Sequence, residues 1–170
     1  MFSDSHPLLL LLDSNQKPVE LDRLAELLTA LNISRGDVSN FCKFEETCYA
    51  RNLVKRSAWY ELLVLCWRSG QASPIHDHFG SSCAFKIIQG QATEVNFEST
   101  GPGKARAVNQ AMYHEKDVCV SSSGHIHQIS NRQQSDHDLI TLHIYSPPLR
   151  MGLYRPDPIY HPADQNPVSL

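Results

Sequence analysis

The sequence predicts a mainly β fold, a sandwich or barrel of many short strands, preceded by a helical N-terminal segment. Three observations predict it. Leucines recur at helical spacing near the start of the chain. After about residue 47, short β-prone runs alternate with Gly, Pro, Ser and Asn. No internal repeat or low-complexity stretch interrupts the 170 residues, a length that suits one domain with one sizeable core.

The elements follow in order. The run Leu8 to Leu12 follows an acidic residue, lacks a positive leader and is too short to span a bilayer, so it reads as a helix or lead-in packed on the barrel. From Val19 to Leu31, Leu21, Leu24, Leu28 and Leu31 form one helical stripe. A second short helix is expected from Ser34 or Asp37, carrying Val38, Phe41 and Phe44. Strands are expected over 49–55, 59–67, 84–88, 92–97, 118–120, 126–130 and 139–145, with Gln89-Gly90-Gln91 as a tight hairpin turn. Six of the ten prolines lie at or after Pro147, which predicts an irregular surface tail. The expected organisation is a single domain, 1–170: a helical part over 1–46, a barrel core over 47–148 and a proline-rich tail over 149–170.

Composition narrows the function. A net charge of -3 with scattered basic residues offers no footprint for nucleic acid or an anionic membrane. Five cysteines, an odd number without CxxC spacing, predict reduced thiols, most of them buried, in a cytoplasmic protein.

The chemistry concentrates in histidines. His76 and His78 stand at i and i+2, so on a strand both imidazoles point to one face. The order Gly70, five residues, His76, one, His78, four, Cys83, six, Gly90 has the spacing of the first cupin motif, with Cys83 at the acidic ligand position. Gly124, two residues, His127, three, Asn131 fits the second, with Ser122 where proline is usual. These flanks favour His127 over its neighbour His125, which is expected to face the other way. The pair of motifs resembles the cupin superfamily, which implies a jelly-roll β-barrel around a metal held by His76, His78 and His127. Three neutral imidazoles leave a divalent ion its full charge and suit an anionic donor such as a thiolate.

Five blocks carry a closer resemblance: Tyr49-Ala-Arg-Asn-Leu-Val54, Leu65-Cys-Trp67, Ser73-Pro-Ile-His-Asp-His78, Ser82-Cys-Ala-Phe-Lys-Ile-Ile-Gln-Gly90 and Leu142-His-Ile-Tyr-Ser-Pro-Pro148. In this order they resemble the cysteine dioxygenase family. The resemblance implies that L-cysteine is oxidised by O₂ to cysteine sulfinic acid on non-haem Fe(II). It implies that Arg51 and Tyr49 grip the substrate carboxylate, and that Thr141, His143 and Tyr145 form a relay beside dioxygen. Cys83 matches the cysteine that forms a thioether with this tyrosine in part of the family. A monomer is expected, and Ser146-Pro147 is a candidate cis peptide. Residues 99–117 and those after Gly152 match weakly. The rivals are a dioxygenase of 3-mercaptopropionate or another thiol, and a non-catalytic metal-binding cupin.

Overall fold

A computed structural model describes residue 3 and residues 5–157. Two helices lead in. Helix α1, Pro7–Asp13, starts on proline, and the His6 ring accepts the Leu8 amide in place of a missing helical partner. Leu8, Leu9 and Leu12 are buried, as the leucine run requires. Helix α2, Leu21–Ala30, buries Leu24 and Leu28 completely. The second predicted helix is absent. Asp37 instead bonds the amide and hydroxyl of Ser34, closing a turn, and only a 3-10 turn, Ser39–Phe41, follows. Val38, Phe41 and Phe44 still pack on the core.

Ten strands follow: β1 Ala50–Arg56, β2 Glu61–Trp67, β3 Ile75–His76, β4 Ser82–Gln89, β5 Ala92–Gly101, β6 Lys104–Tyr113, β7 Val118–Ser121, β8 Ile126–Ser130, β9 Leu139–Ser146 and β10 Leu153–Pro156. One sheet runs β1-β2-β9-β4-β7, and the other, β10-β3-β8-β5-β6, closes on itself because β10 also pairs with β6. The expected jelly-roll barrel is what the chain forms.

The central strands β2, β9 and β4 of the first sheet are buried on both faces, which explains why they read as nearly unbroken apolar runs. Alternate residues part company. Leu62, Val64, Cys66, Ile140, Leu142 and Ile144 face the helices, while Leu63, Leu65, Trp67, Leu139 and Tyr145 face the second sheet. Lys86, on the helix side, donates from Nζ to the carbonyls of Leu28 and Leu31, both at 2.8 Å, and so satisfies the end of α2.

Three expectations need correction. Gln89-Gly90-Gln91 is a sharp turn but not a hairpin: β4 pairs with β7 and β9, β5 with β6 and β8, so the chain changes sheets there. Gly90 has φ +82, and a Cβ would lie 2.6 Å from the Asp138 carbonyl, so no other residue fits without a shift. The segment after 149 is not wholly irregular, since β10 completes the second sheet and strand pairing runs past residue 148; residues 158–170 lie outside the described ones. Strand β6 is an addition to the expected set; half of its residues are exposed, and Ala105 alone among them is buried. Ser146-Pro147 is cis.

Candidate metal centre

Strand pairing builds the site. His76 on β3 lies directly opposite His127 on β8, and His78 follows one step beyond β3 on the same side. Their rings converge, with centroids 4.7 to 5.3 Å apart, and the three residues offer nitrogens within 4.8 Å of one another. His78 Nε2 and His127 Nε2 face each other at 3.1 Å. Two nitrogens on neighbouring positions of one ion, each about 2.1 Å from it, are about 3 Å apart, so the pair fits a shared metal. All three side chains are buried.

Burial, then the mutual closeness of the rings, pulls the His76 imidazole down to about 4 and His78 to about 2. Both therefore stay neutral, the form that ligates. The backs of the rings differ. His76 Nδ1 lies 3.0 Å from the Pro74 carbonyl, and His127 Nδ1 lies 2.6 Å from Glu94 Oε1. His78 Nδ1 makes no hydrogen bond of ordinary geometry, although the Ser122 carbonyl lies close enough to bear on it.

The inward face of β9 supplies the next layer. Tyr145 Oη lies 3.2 Å from His143 Nδ1, and His143 Nε2 lies 2.9 Å from Thr141 Oγ1. Trp67 donates its indole N–H to the same Thr141 oxygen at 3.1 Å. The indole can only donate, so it anchors the far end of the relay. Burial, then the Arg51 charge, holds His143 well below its ordinary value, and burial followed by Cys83 raises the Tyr145 phenol. Both are neutral. Cys83 on β4 is the cross-strand partner of Tyr145, and burial, then Cys119, raises its thiol.

Arg51 and Tyr49 flank this face from the edge of the same sheet, Arg51 on β1 and Tyr49 just before it. The Arg51 guanidinium lies 5.8 Å from the centre of the Tyr145 ring and close enough to both phenols for them to bear on its charge. Tyr49 stacks on Trp67 with centroids 4.2 Å apart. Arg51 is exposed by area, as an edge-strand residue would be, while its charged end reaches inward. These side chains line a gap of about 10 Å³ whose described lining includes His76, His127, His143 and Cys83 but no carboxylate. That is room for about one water. A larger surface cavity of about 530 Å³, between Arg56, Phe79 and Pro148, contains none of the predicted site residues. We place the chemistry at the smaller gap, because the convergent imidazoles are there.

The structure thus brings together all nine residues to which the sequence points. His125 departs from expectation. It does not face away from His127 but lies beside it, ring centroids 5.1 Å apart, because i and i+2 share a side. Its nitrogens are engaged by Ser121 Oγ at 3.1 Å and Asn96 Oδ1 at 2.7 Å, so it stays out of the three-histidine cluster. Two supporting residues are given no role by the sequence: Trp67, which stands in a resembling block, and Glu94. Glu94 sits 2% exposed at the buried start of β5, and a buried carboxylate needs a partner. Its carboxyl is held below the usual range: burial works against this, and hydrogen bonds from His127 and Tyr113 outweigh it.

A family model described as cysteine dioxygenase type I matches residues 7–152. Cysteine dioxygenase type 1 of Danio rerio is 28% identical over 137 residues, covering 78% of this chain and 68% of that protein. The Rattus norvegicus protein of the same name is 27% identical over 134 residues, covering 76% and 66%. The chain spans about two thirds of the length of these curated relatives. Two solved structures share the fold. A Klebsiella pneumoniae protein with a double-stranded β-helix domain has a TM-score of 0.57 at 17% identity, covering 74% of this chain and 92% of that one. A Thermus thermophilus protein has 0.55 at 18%, covering 69% and 99%.

Proposed function

This chain belongs to the cysteine dioxygenase type I family, and from that premise we propose that it oxidises L-cysteine with O₂ to cysteine sulfinic acid at an Fe(II) ion held by His76, His78 and His127. The reaction is a thiolate plus dioxygen giving a sulfinate, with both oxygen atoms on sulfur and no external reductant. The observation that carries this reading is the makeup of the gap: the imidazoles of His76, His127 and His143, the Arg51 guanidinium, and no carboxylate among the described lining residues. Such a site lacks negative charge. A thiolate at the ion and a carboxylate at Arg51 supply it.

Iron(II) bound here supplies the redox step that lets triplet dioxygen react with a thiolate. The protein's own groups do the rest. Arg51, always charged, pairs with the substrate carboxylate, and the Tyr49 hydroxyl donates to the same group. Burial keeps His76 and His78 neutral and ready to ligate. Tyr145 offers its phenol proton towards the reacting oxygen. His143, Thr141 and Trp67 hold that phenol in one orientation. Cys83, adjacent to Tyr145 across the ladder, would form a thioether with it in an oxidation in which the thiol S–H and one ring C–H are broken and O₂ accepts the two electrons.

The test is anaerobic reconstitution with Fe(II), then addition of cysteine and O₂. Stoichiometric oxygen uptake with sulfinate as product is expected. Bound iron without oxygen uptake would mark a binding protein instead. Equal or better kcat/KM with 3-mercaptopropionate would sink the cysteine assignment. Arg51→Ala should raise KM for cysteine, and an unchanged KM removes its role.

A further inference from the structure

The three imidazoles are not equivalent from behind. One is backed by a neutral carbonyl, one makes no hydrogen bond of ordinary geometry, and His127 alone is backed by an anion, Glu94 Oε1, at 2.6 Å. We propose that Glu94 is the positioning residue of this centre: it fixes the His127 ring with Nε2 bare towards the ion, and restores from behind one ligand the negative charge that three neutral imidazoles withhold. The proposal rests on His76, His78 and His127 being the ligands.

Glu94 lies on β5, one diagonal step from His127 across the β5–β8 ladder, where Asn96 is the directly opposite residue. Its other oxygen accepts from the Tyr113 hydroxyl at 3.1 Å and the Cys119 thiol at 3.5 Å. Both donors are neutral. A carboxylate this deeply buried is costly without a countercharge, and the partners in contact with it supply none beyond the His127 ring. A divalent ion on the far nitrogen of that ring would supply it. A carboxylate that accepts from Nδ1–H also raises the electron density at Nε2, so the ligand binds metal more strongly. The first cupin motif puts Cys83 where an acid would ligate, so here the acidic charge stands one layer back.

A second ion shared by Glu94, His125 and His127 is the competing use of the same residues. The distances argue against it. At 2.6 Å the Glu94–His127 pair is closer than the roughly 3 Å that two donors keep around one ion, and both nitrogens of His125 are already engaged.

Two variants of the full chain separate position from charge. Glu94→Gln keeps an acceptor without the charge, and Glu94→Ala removes both. Co(II) affinity by chelator competition is one readout. The other is the His127 tautomer in metal-free protein, read by long-range ¹⁵N–¹H correlation. The wild type should bind one Co(II) and hold the proton on Nδ1. Glu94→Gln should bind about 10-fold more weakly with the tautomer kept, and Glu94→Ala about 100-fold more weakly with a mixture of tautomers. Unchanged affinity and tautomer in both variants overturn the proposal. If Glu94→Ala does not fold, Glu94→Gln decides: a tenfold loss supports the role of the charge, and unchanged affinity overturns it. A wild type that binds no Co(II) overturns the ligand reading itself, while the metal-free tautomer still reports whether Glu94 fixes the ring.

Discussion

The central strands β2, β9 and β4 carry two buried faces that differ in kind. Towards the helices they show Leu62, Val64, Cys66, Ile140, Leu142 and Ile144, and the buried charge there, Lys86, is spent on ending α2. Towards the second sheet, the alternate positions of the same strands show Trp67, Cys83, Thr141, His143 and Tyr145. Both faces exclude water almost equally, yet one consists of hydrocarbon and the other of hydrogen-bonded, titratable groups. The difference teaches that a period of two lets one strand serve stability and chemistry at once without mixing them. A substitution should therefore change one and spare the other.

The strongest way to break that division is at the ligands. His76→Ala should abolish stoichiometric metal binding and lower activity by more than about 100-fold, the upper end for loss of a mere ligand support, while the thermal midpoint of the metal-free protein holds or rises. A large fall in that midpoint would show that the inner face also bears stability. The opposite face gives the mirror experiment. Leu142→Ala, fully buried against the helices, should cost about 2–5 kcal/mol in urea unfolding, with turnover per folded molecule unchanged.

Acid sharpens the contrast further. Below an ordinary histidine value of 6.5 the unfolded chain takes up a proton that His76, held at about 4, refuses in the fold. Stability of metal-free protein should be level above about pH 6.5 and fall by about 3 kcal/mol on acidification towards pH 4, through His76 alone. His78 and His143, depressed for the same reason, add to the loss in the same direction. Urea midpoints across that range check it, and a flat profile would contradict the burial of neutral histidines. The smallest effect belongs to Lys86. Lys86→Met leaves two helix carbonyls without their donor and should cost about 1–3 kcal/mol, with no change in KM or metal affinity.

How much of this is legible in the sequence follows from the same geometry. Strands buried on both faces stand out as apolar runs, and the histidines as spacing within motifs. Polar residues at alternate positions of β9 put Thr141, His143 and Tyr145 on a common side by the period of two alone. Strand β6 is not legible, because with Ala105 alone buried its polar and apolar residues keep no sustained alternation. The change of sheet at Gly90 is not legible either, since a tight turn looks alike whether the strands beside it pair or part. Glu94 and Trp67 act through other side chains, and hydrogen bonds across a barrel leave no local signature. His125 is misplaced when motif spacing outweighs the alternation that puts it and His127 side by side.

The residue between two ligands, Asp77, accepts the Gly152 amide at 2.9 Å and the Tyr154 hydroxyl at 2.8 Å, and a Cβ on Gly152 would lie 2.7 Å from that carboxylate. Among the described residues, strand β3 pairs with β8 and β10 alone. During synthesis from the N-terminus, His76, His78 and His127 are therefore all joined to the chain before β10, the strand that pairs with β3 beside them. An amber stop just before Gly152 would spare all three histidines yet remove the Gly152 and Tyr154 clasp on Asp77, leaving β3 held by β8.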